Sequence, residues 1–263
     1  MLESTTLEPG CQMLPQAELL WPEAIIPMDL QSTEVHLYAT RLDDCPDSSR
    51  AILSRDEKER ARRFLFDTHR TRFIAGRAFL RTILGNYLQM SPTRLRFTYS
   101  PQGKPALDQN LTKSDLCFNL AHSADLALLA VTRVGEIGVD VENIRPIPEA
   151  SSLVSRFFSN RECQLFNGLP DDLKSPAFFN LWTRKEAWLK CTGEGIAHSL
   201  NLVEVSFLPH EPARLLSLPG SGQNAARWTL RELHPAPGFA AAVAVASFPI
   251  QINCFSWLTQ SDL

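Results

Sequence analysis

Apolar and polar residues alternate with period two from Glu34 to Leu42, which predicts a strand with one face in a core. At Ser54-Arg55-Asp56-Glu57 the pattern changes to a capping box, and the helix it opens turns Ala61, Phe64 and Leu65 inward. A longer helix is expected over roughly His69 to Leu88. Leu95 to Tyr99 reads as a strand, Pro101 to Lys104 as a turn, and Leu116 to Leu120 and Leu126 to Thr132 as strands around a bend at Ala121 to Asp125. Gly135 and Gly138 then punctuate a turn. The order repeats after it. A strand over 139 to 142 precedes a helix near Leu153, a second capping box at Ser159-Asn160-Arg161-Glu162, and a long helix beginning at Ser175-Pro176 and stopping at Gly193. Strands follow near 203 to 207, 227 to 233 and 239 to 247.

Local sequence echoes accompany the repeated order. Arg77-Ala78-Phe79-Leu80-Arg81 aligns with Glu186-Ala187-Trp188-Leu189-Lys190, and His122-Ser123-Ala124 with His234-Pro235-Ala236, each of the latter pair standing beside an apolar strand. The expected fold class is therefore α+β, with two similar, pseudo-symmetric α/β halves in one chain. The boundaries read as an extended arm over 1–33, where Pro9, Pro15, Pro22 and Pro27 interrupt any period and Trp21 is an apolar anchor. An N-terminal half spans 34–134, a C-terminal half 135–248, and a tail 249–263.

Within the second half, Gly138-Val139-Asp140-Val141-Glu142 places Asp140 and Glu142 on the face opposite Val139 and Val141. Glu186 and Lys190 lie about 40° apart on one helix side, at roughly 100° per residue. Taken separately, the strand carboxylates read as an ordinary wet face, and Glu186 with Lys190 as an i, i+4 surface ion pair. Taken together, three carboxylates on two rigid elements suit an octahedral Mg²⁺ that draws its remaining ligands from water and a phosphorylated substrate.

Composition narrows the choice. The 263 residues are 44% hydrophobic and 21% charged, with a net charge of -3, ordinary for a globular chain and without an overall basic field for nucleic acid or membrane. Arginine is nevertheless concentrated: Arg50, Arg55, Arg60, Arg62, Arg63, Arg70, Arg72, Arg77 and Arg81, with Lys58, stand between 50 and 81. Arg70, Arg72 and Arg81 read as solvated helix faces. The six cysteines show no C-x-x-C or paired Cys/His spacing, which argues against zinc. The N-terminus has no basic region of a secretory leader, and runs such as Phe239 to Ala246 are too short to span a bilayer, so the cytoplasm is the expected compartment.

Gly138-Val139-Asp140-Val141-Glu142 and Trp182-Thr183-Arg184-Lys185-Glu186-Ala187-Trp188-Leu189-Lys190 resemble the G-[IV]-D-[IV]-E and W-x-x-K-E-A-x-x-K signatures of the 4'-phosphopantetheinyl transferases. Gly103-Lys104-Pro105 resembles the family's G-K-P turn, and Phe118-Asn119-Leu120-Ala121-His122-Ser123 its F-N-[IVL]-S-H-S strand, with Ala121 standing where serine is common. The four segments span 103 to 190 in the family's order, and the chain's length agrees with the larger, surfactin-synthetase type.

The resemblance implies an enzyme that moves the phosphopantetheine arm of coenzyme A onto a serine of an apo acyl or peptidyl carrier protein and releases 3',5'-ADP. It implies Mg²⁺, with Mn²⁺ as an alternative, on Asp140, Glu142 and Glu186. Glu186 becomes the candidate base and Lys190 the cation on the leaving phosphate. His122 and Arg77, with Arg63 or Arg62, are assigned to the 3'-phosphate, Lys104 and Pro105 to the adenine, and Lys185 to phosphate or carrier. At Ala121 a hydroxyl contact to coenzyme A is expected to be missing. The site is expected between the halves, the state monomeric, and the arginine-rich stretch open to an acidic carrier. Two other readings stand beside this one: a carrier-binding module without turnover, and a metal-dependent nucleic-acid-processing protein.

Overall fold

The computed structural model describes residues 18–25, 29–193, 200–218, 225–247 and 249–258. Residues 1–17 of the expected arm and 259–263 of the expected tail lie outside the described residues. The first half contains β1 (Glu34–Arg41), α1 (Ser49–Ile52), α2 (Arg55–Arg62), α3 (Asp67–Leu88), β2 (Phe97–Tyr99), β3 (Pro105–Leu107), α4 (Gln109–Thr112), β4 (Cys117–Ser123) and β5 (Leu126–Thr132). The second contains β6 (Ile137–Asn143), α5 (Ala150–Phe157), α6 (Asn160–Asn167), α7 (Asp171–Thr192), β7 (Glu204–Val205), β8 (Leu215–Ser217), β9 (Thr229–Leu233) and β10 (Phe239–Val245), after which comes β11 (Gln251–Ser256).

Two sheets carry the duplication. One has the order β11-β1-β5-β4 and the other β6-β10-β9, so in each half the first strand pairs antiparallel with the last, and the last with the one before it. Strand alternation sorts the side chains into layers. Val35, Leu37 and Ala39 meet Val139, Val141 and Val243 in a core shared by the two sheets. On the outer face of the first sheet, Tyr38, Leu129 and Val131 pack under Phe79, Leu80 and Ile83 of α3. On the outer face of the second, Ala240, Ala242 and Ala244 lie beneath Ala187 and Trp188 of α7.

That alanine row and Gly138 let α7 lie low on its sheet. A Cβ on Gly138, which pairs with Ala244, would stand 2.0 Å from the Ala187 carbonyl oxygen and 2.4 Å from the Cys191 amide nitrogen. The glycine is therefore fixed by close backbone approach.

Both capping boxes form. The Ser54 amide donates to Glu57 Oε2 at 2.9 Å, and at the second box Ser159 and Glu162 exchange hydrogen bonds of 3.0 and 3.2 Å. α7 ends as expected, with Gly193 at φ 76°. It begins earlier than expected, at Asp171, with Pro176 inside it. Asp171 and Asp172 favour the positive end of the helix dipole, and a proline this early forfeits one hydrogen bond while leaving the later turns intact.

Two other expectations change. β4 continues through His122 and Ser123, and the hairpin turns at Ala124, whose φ is 51°. The segment expected as a tail contains β11, which pairs parallel with β1 from Glu34↔Gln251 to Ala39↔Ser256. The described part of the arm follows β11: the Ala24 amide donates to Ser256 O at 2.9 Å, the Ser256 amide to Pro22 O at 2.7 Å, and Trp21 packs on the core between the sheets. Among the described residues no helix is long and apolar enough to cross a membrane.

Candidate active site at the seam between the halves

β4 and β6, each an outer strand of its own sheet, lie side by side. Their link is made by side chains. Asn119 Oδ1 accepts the Val139 amide at 2.9 Å, and Ser123 Oγ accepts the Asn143 amide at 3.1 Å. The donors and the acceptors both advance by four residues, so the strands run in the same direction across the seam. Ala121, between Asn119 and Ser123, is buried in the shared apolar core. Its methyl fits there, and a hydroxyl at that position would face apolar neighbours.

Asp140, on the face of β6 covered by α7, is buried, and Lys190 Nζ reaches its Oδ1 at 2.6 Å and the Val139 carbonyl at 3.4 Å. Asp140 Oδ2 and Glu186 Oε1 are buried and have no hydrogen-bond partner. Burial raises the Asp140 carboxyl to about 6 against the pull of Lys190, and raises Glu186 to about 7 with further repulsion from Asp140 and Glu142. Glu142 is half-buried. Its Oε2 accepts the Ser123 hydroxyl at 2.6 Å, and Arg145 stands 3.8 Å away.

The three carboxylates thus share one neighbourhood. Among the described residues, however, no three His, Cys, Asp or Glu side chains are drawn together as a finished metal cage. One oxygen of Asp140 is engaged by Lys190 and one of Glu142 by Ser123. The donor set still fits a hard divalent ion: all three ligands offer oxygen, and unpartnered buried oxygens on Asp140 and Glu186 incur a desolvation cost that a cation would offset.

Beside these groups opens a cavity of about 310 Å³, lined by Gly103, Lys104 and Pro105 from the first half and by Glu186, Leu189 and Lys190 from the second. Gly103 turns the chain at φ 86°, a conformation that favours glycine. Lys104 Nζ crosses the seam to Glu136 and to the Cys191 carbonyl. His122, on β4, is exposed and does not line this cavity. Partial loss of solvation and then the Lys190 charge hold its ring below the usual histidine pKa.

Arg63 and Arg77 line a second cavity, about 620 Å³, together with Glu57, Arg60 and Tyr99. Arg77 is not a bare cation there, because its Nε donates to Glu57 Oε1 at 2.5 Å and its guanidinium lies over the Phe97 ring. Arg81 departs from its expected solvated face. It is 2% exposed and donates to Glu57, Pro92 O and Leu95 O. Arg70 and Arg72 remain at the surface side of α3, paired with Asp67 and Asp43.

Lys185 requires a correction. It is fully buried, with Nζ bonded to Glu162 Oε2 at 2.6 Å, Leu200 O at 2.6 Å and Val203 O at 2.7 Å. All three ammonium protons have partners, which removes it from phosphate or carrier contact. Its neighbour in sequence, Glu186, turns to the seam because successive helix positions diverge by about 100°.

Comparison with known proteins agrees with this arrangement. Residues 47–134 match the model of the N-terminal domain of 4'-phosphopantetheinyl transferases, and residues 136–246 match that of the 4'-phosphopantetheinyl transferase superfamily. The chain is 47% identical over 225 residues to the 4'-phosphopantetheinyl transferase HetI of Nostoc sp. (strain PCC 7120), covering 84% of this chain and 91% of that one. It is 28% identical over 212 residues to the 4'-phosphopantetheinyl transferase Sfp of Bacillus subtilis, covering 79% and 89%. A further relative is the human L-aminoadipate-semialdehyde dehydrogenase-phosphopantetheinyl transferase, at 27% over 162 residues, 59% of this chain and 52% of that protein. The fold and seam thus define a two-half transferase architecture. The chain belongs to the 4'-phosphopantetheinyl transferase family.

Proposed function

We propose that the protein transfers the 4'-phosphopantetheine arm of coenzyme A to a serine hydroxyl of an apo acyl, peptidyl or aryl carrier protein. The new bond joins the serine oxygen to the β-phosphorus of coenzyme A, the pyrophosphate linkage breaks, and 3',5'-ADP leaves. One observation supports this reading above the others: Asp140 and Glu186 each hold an unpartnered buried oxygen beside a cavity that both halves line.

Glu186 is the base that takes the serine proton, and a carboxyl held near 7 is suited to proton exchange at neutral pH. Lys190, about one turn further along α7, is the point cation for the charge that builds on the leaving phosphate. Its present partner is Asp140, so binding of an ion at Asp140 would release the ammonium for that task. Mg²⁺, or Mn²⁺ in its place, held by Asp140, Glu142 and Glu186, would supply Lewis-acid neutralisation of the pyrophosphate.

The division of labour follows the two halves. Residues 34–134 take the nucleotide, with Lys104 and Pro105 along the adenine and Arg63, Arg77 and His122 around the 3'-phosphate, and residues 135–248 hold the ion and the base. A second half in the same chain stands where a second subunit would otherwise be needed, which supports a monomer. Neither nucleic acid nor membrane is assigned as a partner, since the net charge is -3. The cytoplasm is the assigned compartment, in keeping with five described cysteines that form no disulfide.

Incubation with coenzyme A, Mg²⁺ and an apo carrier, followed by intact mass measurement, tests the reading. A mass gain of one phosphopantetheine on the carrier is expected. Its absence with fatty-acid, polyketide and peptide carriers alike would reject it, and carrier binding without mass gain would favour a module without turnover.

A further inference from the structure

Ser123 is the last residue of β4, and its hydroxyl joins the halves twice at one atom. It accepts the Asn143 amide at 3.1 Å and donates to Glu142 Oε2 at 2.6 Å. The proton's direction is settled by its neighbours. An amide N–H only donates and a carboxylate only accepts, so the hydroxyl proton goes to Glu142 while a lone pair receives Asn143. Arg145, the cation paired with Glu142, is 3.8 Å away, more than half exposed, and lies over the Phe179 ring, so its hold on the carboxylate is loose. Asn119, four residues earlier on the same strand face, makes a neutral bond between β4 and β6. Ser123 adds the charge-assisted one.

We infer that Ser123 is a positioning residue for the metal site: a hydroxyl from the first half orients Glu142 of the second, so that one carboxylate oxygen is held and the other faces the ion. The inference rests on the assignment of Glu142 as a metal ligand. A ligating carboxylate whose spare oxygen is hydrogen-bonded loses less orientational freedom when the ion arrives, and outer-shell groups of this kind change metal affinity by about 10- to 100-fold. The role also couples the halves, since a shift of β4 along β6 would carry the hydroxyl away from Glu142.

The test is Mn²⁺ affinity without coenzyme A, read from the electron paramagnetic resonance signal of free Mn²⁺. It compares the parent protein, Ser123→Ala, Ser123→Thr and Asp140→Ala. The expected result is a Kd raised about tenfold in Ser123→Ala and returned to near the parent value in Ser123→Thr, which keeps the hydroxyl. A role confined to docking the halves would lower the unfolding temperature and leave Kd unmoved, and that result overturns the inference. If Ser123→Ala does not fold, Ser123→Cys replaces it with a similar volume and a weak donor, and an unchanged Kd there overturns the inference equally. Failure of the inference alone has its own signature: Asp140→Ala abolishes binding while Ser123→Ala does not alter it. No Mn²⁺ binding by the parent would reject both the metal assignment and this role.

Discussion

α3 and α7 each run for 22 residues over the outer face of their own sheet, and each half buries the glutamate of an eight-residue capped helix against a cation of its long helix. In the first half Glu57 holds Arg77 and Arg81, and in the second Glu162 holds Lys185. The halves part company on the strand beneath. β1 offers Tyr38 to α3, and its hydroxyl meets Tyr87, which also reaches His36 Nδ1 at 2.6 Å. β6 offers Asp140 and Glu142 to α7, and the helix answers with Glu186 and Lys190. At the positions aligned with Glu186 and Lys190, the first half has Arg77 and Arg81, both committed to Glu57. One helix-to-sheet contact closes on itself, whereas the other is left with surplus negative charge at the seam. A shared scaffold can therefore be stabilised in both halves by buried pairs while the surplus carboxylates, the candidate groups for the ion and the base, are reserved for one.

The sharpest way to break this comparison is at aligned helix positions. Glu186→Gln should lower kcat for carrier modification by about 10³-fold, since a general base contributes on the order of 10²–10⁴, with little change in stability. Steady-state kinetics and denaturant unfolding on the same preparation check both parts. Stability lost without activity lost would assign Glu186 to the scaffold.

Next in size are the capping-box glutamates. Glu57→Gln and Glu162→Gln each leave buried cations without their counter-charge, and breaking such a pair costs about 3–5 kcal/mol. Urea unfolding should show comparable losses in the two variants, because the pairs are counterparts. A loss confined to one half would show that the duplication extends to shape but not to energetics.

The seam should also carry a pH signature. Asp140 and Glu186 titrate higher in the folded protein, about 6 and about 7, than the usual 3.8 and 4.5. Between those limits the folded state binds more protons than the unfolded one, so their contribution is full below about pH 4 and is lost as pH rises toward 7. Without divalent ion, unfolding temperature corrected against Asp140→Asn should therefore fall over that window. Mg²⁺ should reverse the trend, because an ion prefers the deprotonated carboxylates. An identical pH profile in Asp140→Asn would remove Asp140 as the source.

Much of this was legible in the sequence where the signal is local. Alternation put Asp140 and Glu142 on one side of their strand, the capping boxes opened their helices, and the i, i+4 step put Glu186 near Lys190. What escaped depends on partners far along the chain. Arg81 is drawn inward by Glu57, 24 residues earlier, and Lys185 by Glu162, 23 residues earlier. Neither is distinguishable by residue type from an exposed cation. β11 pairs with β1 across most of the chain, a parallel pairing that no hairpin spacing announces. Asn119 and Ser123 fell within a family motif, and their shared strand face was readable, but the seam they join required β4 and β6 to be neighbours.

The smallest effect concerns the closed contact. Tyr87→Phe keeps the ring against Tyr38 and His36 but removes the hydroxyl that contacts both, and with it two part-buried hydrogen bonds. A lost hydrogen bond of this kind costs about 1–2 kcal/mol. If α3 over the first sheet is scaffold, the loss should appear in urea unfolding, while KM for coenzyme A and kcat stay within about twofold of the parent, below the 1.4 kcal/mol that a tenfold change represents. The substitution removes no charge, and the network lies under α3 on the far side of β1 from the shared core, so its loss should leave the carboxylates undisturbed. A shift in kcat without a shift in stability would mean that the two helix-to-sheet contacts communicate, and that closure of the first half is part of how the second is set.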